Sequence, residues 1–180
     1  MTGGRKPPLR IFFALWPSPE VQTDLAKSAA LVAKACSGRQ LRAESLHLTL
    51  VFIGATPPDR VASLQKLMDA IRLPRFVLRL DQCGWWRHNG IVWAGTQTAP
   101  HGLIALNTAL ALGAEKLGFS LDVRPYVPHL TLAREASRGP PAAAMPALNW
   151  NVGSFVMVAS ELTPEAPRYR ILHERELVAR

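Results

Sequence analysis

The tetrapeptide His-Leu-Thr-Leu occurs twice in this chain, in LHLTLVFIG (46–54) and in PHLTLAREA (128–136), with little else repeated around it. Side chains on an extended strand alternate between its two faces. The first copy therefore places Leu46, Leu48, Leu50 and Phe52 on one face, with His47 and Thr49 on the other. The second copy groups Leu130 and Leu132, with Arg134 beyond them, opposite His129 and Thr131. Each strand must be covered on its leucine face while presenting an imidazole and a hydroxyl, roughly 6.5–7 Å apart, on the other. Coincidence is a poor account. With 5 His and 9 Thr in 180 residues, a given His has about a 5% chance of Thr two positions later on composition alone. Flanking leucines in both copies reduce that chance much further.

The surrounding pattern supplies cover for such strands. LRIFFALW (9–16) is continuously apolar, like a central strand. Val21, Leu25, Ala29, Val32 and Cys36 follow at helical spacing, with Gly38 marking the exit. A strand is expected over 45–53. A helix after ATPPDR carries Val61, Leu64, Leu67, Met68 and Ile71 on one face. RFVLRLDQC and GIVWAGT read as paired strands joined by GWWRHNG. Leu103, Leu106, Leu110 and Leu117 form the stripe of a third helix that stops at Gly118. Strands are expected over 128–133, about 152–160 and 168–178, with the Pro/Ala-rich SRGPPAAAMPALN forming a loop. Strands and helices in this order indicate an α+β protein, with one copy of the tetrapeptide in each half facing a shared cleft.

The formal charge of +8 favours an anionic partner such as a nucleic acid or phosphorylated metabolite. A basic, GC-rich proteome accounts for it equally well, since Arg outnumbers Lys by 16 to 5. Cys36 and Cys83 form no C-x-x-C and are expected as free thiols in a reducing compartment. The apolar run Ile11–Trp16 is too short for a signal peptide and ends in Pro17. No segment reaches the length needed to span a bilayer, so a cytoplasmic protein without a membrane partner is expected, by default a monomer.

Two imidazoles and two hydroxyls suit a phosphodiester attacked in line. One His accepts the nucleophile's proton and the other, protonated, donates to the departing oxygen. The ordinary imidazole pKa near 6.5 allows both states near neutrality. Threonine hydroxyls can hydrogen-bond the non-bridging oxygens as charge builds there. Zinc would need a third ligand at recognisable spacing, and none accompanies these two. Neither cysteine adjoins a His and no G-x-S-x-G appears. His88, His101 and His173 lack comparable companions and are set aside.

The paired H-x-T motifs, with RIFFALWP at the start, RPYVPHLTLAR in the middle and SELTPEAPRYRIL near the end, resemble the 2H phosphoesterase superfamily. Within it the likeness is to the RNA 2′,3′-cyclic phosphodiesterases, also called 2′-5′ RNA ligases. The resemblance spans nearly the whole chain. It implies one bilobal domain over 1–180, with two antiparallel sheets flanking a central cleft beneath outer helices; residues 1–8 are expected to be flexible. It further implies hydrolysis of an RNA 2′,3′-cyclic phosphate to a 2′-phosphomonoester, with His47 as proton donor to the leaving 3′ oxygen and His129 as proton acceptor for water. Thr49 and Thr131 match its phosphate-holding positions. No cofactor or metal is implied. ATP-independent 2′-5′ ligation is the related reverse reaction, in agreement with the absence of a P-loop. Family members often carry an acidic residue where this chain has Trp16.

Further substrate contacts are expected from Arg134, if a bulge or strand end turns it inward. Phe13, Trp86 and Tyr169 are candidate surfaces for stacking a terminal base. Arg124 and Arg168 are candidates for an electropositive groove. Two other substrates or roles stay open: a small nucleotide such as ADP-ribose 1″,2″-cyclic phosphate, or an RNA-end-binding module whose turnover is incidental.

Overall fold

Leucine faces on two strands need a cover, and two helices provide it. A computed structural model describes residues 7–141, 144–164 and 166–179; the expected flexibility of 1–8 lies, up to residue 6, outside the described residues. The strands are β1 (Leu9–Leu15), β2 (Arg39–Gln40), β3 (Leu48–Thr56), β4 (Phe76–Leu80), β5 (Gln82–Trp86), β6 (Ile91–Gly95), β7 (Leu130–Arg134), β8 (Leu148–Val152), β9 (Ser154–Glu161) and β10 (Arg168–Glu176). The helices are α1 (Pro19–Cys36), α2 (Val61–Ala70) and α3 (His101–Lys116). The class is α+β, with two antiparallel sheets. The larger runs β10-β9-β1-β3-β7-β6-β5, with β2 added beside β7, and the smaller pairs β4 with β8.

Both motifs lie in the larger sheet on neighbouring strands. β3 and β7 share one pair, Leu48↔Leu130, and the sheet divides there into two halves. One half is built on β1 and β9, the other on β6 and β5. α1 packs behind β7 and α3 behind β3, so Leu48, Leu50, Leu130 and Leu132 sink into one core with Leu25, Val32, Leu106 and Leu110. Close approach between α2 and α3 depends on Gly113, where a Cβ would stand 2.1 Å from a methyl of Leu67.

Helix α1 starts as its sequence dictates. The Ser18 side chain caps it by accepting from the Val21 N–H, with Pro19 in the first turn. It ends one residue earlier than the glycine signal suggests. Ser37, not Gly38, takes the left-handed conformation, at φ 51°.

Two expectations are corrected by pairing that sequence cannot display. The run RFVLRLDQC is two strands, broken at Asp81. β4 leaves to pair with β8, and β5 alone forms the hairpin with β6. Asp81 holds the break through its carboxylate, which accepts from the Gln97 N–H at 2.9 Å. The hairpin turn closes at Asn89-Gly90, with Gly90 at φ 65°.

The second correction concerns the faces of the motif strands. Leu132 is an extra residue in β7 relative to β6, whose Trp93 faces Thr131 and whose Val92 faces Ala133. Leu50 is likewise an extra residue in β3 relative to β1, where Ala14 faces Thr49 and Phe13 faces Val51. Each bulge buries two consecutive residues, Leu50-Val51 and Leu132-Ala133, and inverts the alternation beyond them. Phe52 therefore leaves the leucine face and is 45% exposed. Arg134 is exposed in the equivalent place.

Candidate active site

The Leu48↔Leu130 pair sets the geometry of the quartet. In an antiparallel register, one step to either side places His47 opposite Thr131 and Thr49 opposite His129, all four on the face away from the leucines. Opposed Cβ atoms stand about 5 Å apart across such a pair. Each motif thus brings one imidazole and one hydroxyl to the same side of the sheet. One cleft of about 620 Å³ is lined by all four side chains.

Both rings are held in the same way. His47 Nδ1 lies 2.8 Å from the Ser45 carbonyl oxygen, and His129 Nδ1 lies 2.8 Å from that of Val127. A carbonyl only accepts, so Nδ1 carries the hydrogen in each ring and Nε2 is the nitrogen left for a guest. The 3₁₀ turn Ala43–Ser45 delivers His47 to the start of β3, while Pro128 precedes His129 at the start of β7.

Beyond the backbone the two sites differ. His47 sits in an aromatic box. Trp16 stacks on it at 5.2 Å with the planes 2° apart, Phe12 lies at 5.0 Å, and Tyr169 meets it edge-on at 5.0 Å. Among the described residues, His129 meets only Trp86 in this way, edge-on at 4.6 Å. Trp86 in turn packs on Trp93, which lies so close over Gly84 that a Cβ there would stand 2.1 Å from its indole. Burial disfavours the charged imidazole, and the nearby His129 and Arg134 charges act in the same direction, so His47 is lowered to about 4. Burial also lowers His129. Its Nδ1–H bond to Val127 opposes the shift, as the Ser45 bond does for His47.

The cleft is cationic. Arg10, Arg39, Arg42 and Arg134 line it, and among the described residues no Asp or Glu does. Glu135, next to Arg134, is already taken by Arg39 at 2.9 Å. Among the described residues, no group of three or more His, Cys, Asp or Glu side chains is placed to hold a metal ion. No helix among them is long and apolar enough to cross a membrane.

Of the residues singled out from sequence, His47, Thr49, Trp86, His129, Thr131, Arg134 and Tyr169 line the same cleft. Phe13 does not, and that expectation is corrected. It is 0% exposed, in the core with Ile11 and Leu15. Its neighbour Phe12 faces the cleft instead, because β1 alternates regularly beside the bulged β3. Arg168 is exposed outside the cleft, and Arg124 lines an adjoining groove. Cys36 and Cys83 are free thiols, and burial raises both, Cys83 to about 11. Sequence reasoning missed Arg10, Phe12, Arg39, Arg42 and the box residue Trp16. A period-2 reading of RIFFALW would have separated Phe12, Ala14 and Trp16 from Ile11, Phe13 and Leu15.

Known proteins resemble this chain along most of its length. The family model described as LigT like phosphoesterase matches residues 15–93. The RNA 2′,3′-cyclic phosphodiesterase of Escherichia coli (strain K12) is 35% identical over 167 residues, covering 90% of this chain and 93% of that protein. The protein of the same name from Thermus thermophilus is 33% identical over 184 residues, covering 94% and 90%. Among solved structures, E. coli LigT complexed with 3′-AMP superposes with a TM-score of 0.81 at 32% identity, covering 94% of this chain and 98% of that one.

Proposed function

The chain belongs to the LigT-like phosphoesterase family, and from that premise we propose that it hydrolyses RNA 2′,3′-cyclic phosphate ends to 2′-phosphomonoesters by paired-histidine acid–base catalysis. His129 Nε2 accepts a proton from water as the water oxygen bonds to phosphorus. The bond from phosphorus to the 3′ oxygen breaks, and His47 Nε2–H donates its proton to that oxygen. The product carries a 2′-phosphate and a free 3′-hydroxyl. Solvent exchange then returns each imidazole to its starting state. Thr49 and Thr131 donate to the non-bridging oxygens, and Arg134 adds a guanidinium fork. If a 5′-hydroxyl replaces water, the same steps give a 2′-5′ linkage without ATP.

The observation that carries this reading is the Leu48↔Leu130 pair with its two Nδ1-anchored imidazoles. It supports two Nε2 atoms addressing one phosphorus from opposite sides. The lowered His47 imposes a condition: in the empty cleft it is neutral at pH 7, so it becomes a donor only once the phosphate's negative charge has entered. The diester supplies the charge that creates its own acid.

The decisive experiment is incubation of an oligonucleotide ending in a 2′,3′-cyclic phosphate, in EDTA, followed by assignment of the retained phosphate. A 2′-phosphate is expected. A 3′-phosphate product, or activity abolished by EDTA and restored by zinc, sinks the mechanism. Loss of hydrolysis in His47→Ala and His129→Ala, with loss of the cellular role, separates the enzyme from an RNA-end-binding module, which would keep that role.

A further inference from the structure

A second groove, of about 760 Å³, adjoins the first. Thr49, Phe52, Trp86 and His129 line both, so the two spaces share a border. Phe52 and Trp86 stand where they meet. Phe52 is 45% exposed, with the Arg10 guanidinium 4.7 Å over its ring, and is therefore a half-open aromatic platform held from one side. It is there because the β3 bulge turned it out of the core.

The remaining walls suit a nucleoside. Asn107 donates its amide hydrogen to the Leu50 carbonyl at 2.8 Å, which leaves its side-chain oxygen as an acceptor. Asn89 accepts from the Ile91 N–H at 3.2 Å, which leaves its amide as a donor. Arg124 lies at the exposed rim, its guanidinium braced by Asp122 at 2.8 Å. Single-stranded RNA is held by such combinations of aromatic faces, base-edge hydrogen bonds and peripheral cations.

We propose that this groove seats the nucleoside preceding the cyclic end, so that the favoured substrate is an RNA chain rather than a free cyclic nucleotide. The inference rests on the RNA-end reading above. A cleft of about 620 Å³ falls in the range that holds one small ligand, and a mononucleotide leaves the second groove empty. A chain occupies both, and its penultimate base stacks at the Phe52–Trp86 divide.

Calorimetry with adenosine 2′-monophosphate and with a trinucleotide bearing a 3′-terminal 2′-phosphate tests this without requiring turnover. The trinucleotide is expected to bind about 10-fold more tightly, the gain of stacking its penultimate base. Phe52→Ala should bring the ratio near unity, and Arg124→Ala, on an exposed loop where folding is not at stake, should reduce it several-fold. Equal wild-type affinities, or a ratio unmoved by both substitutions, overturn the proposal. If the ratio holds but the cyclic form of the same trinucleotide is left uncut, the groove stands and the phosphodiesterase reading falls.

Discussion

Binding of a phosphate ester should convert His47 from an unprotonated base into an acid, and the size of the change follows from the structure. With His47 lowered to about 4 by burial and by its cationic neighbours, about one ring in a thousand is protonated at pH 7 in the empty cleft. A unit negative charge about 4 Å from Nε2, at an effective dielectric of about 20, interacts by about 4 kcal/mol, or about 3 pH units. The midpoint should therefore move from about 4 to about 7, giving comparable acid and base populations at neutrality. Linkage requires the reciprocal effect: protonation of His47 should raise ligand affinity about 250-fold as pH falls from about 7 to about 4. Titration of ¹⁵N-histidine-labelled protein by NMR, free and saturated with a nucleoside 2′-monophosphate, measures both midpoints. A free midpoint near the ordinary 6.5, or one that stays near 4 in the complex, refutes the reasoning.

Arg134→Met removes one of the charges that hold His47 down, so the free midpoint should move up while kcat/KM falls; Arg134→Lys should restore the midpoint more fully than the activity, because a lysine lacks the fork. Unchanged midpoints in both variants would remove Arg134 from the electrostatics of the cleft. The depressed His47 also makes the fold acid-sensitive. The unfolded chain binds this proton near 6.5 and the folded chain near 4, so stability is lost as pH falls through that window, by at most about 3 kcal/mol given that part of the ring is open to solvent. Urea melts of wild type and His47→Phe at pH 7 and pH 4.5 isolate this contribution, since the exposed carboxylates titrate alike in both, and equal losses would contradict it. Ser37→Gly should stabilise by about 0.5–1 kcal/mol, because Ser37 ends α1 at φ 51° where glycine carries no steric cost; a lowered Tm would show that the cap's strain has been overestimated.

Much of the site was legible because it depends on local periodicity. His47, Thr49, His129 and Thr131 follow from alternation over three residues, and the helix stripes from 3.6-residue spacing. What failed depends on events between strands. Both bulges are insertions relative to a neighbouring strand, so no count within LHLTLVFIG places Phe52 in the cleft. The same holds for Arg134, whose inward turn was expected only on condition of such a bulge. The continuously apolar LRIFFALW suggested a strand buried on both faces. It is one, but the second face belongs to a small cluster of Phe12, Ala14, Val156 and Val158 beside Tyr169, and so Phe12 rather than Phe13 meets His47. The departure of β4 to β8 joins segments about seventy residues apart, which pattern within either segment cannot reveal.

The imidazoles hang from main-chain oxygens of Ser45 and Val127, where many acid–base enzymes use a carboxylate as the brace. A peptide oxygen has no titration of its own and survives every side-chain replacement at its position. Evolution can therefore rewrite residues 45 and 127, or shift the pH at which the protein works, while the proton-bearing nitrogen of each ring stays the same.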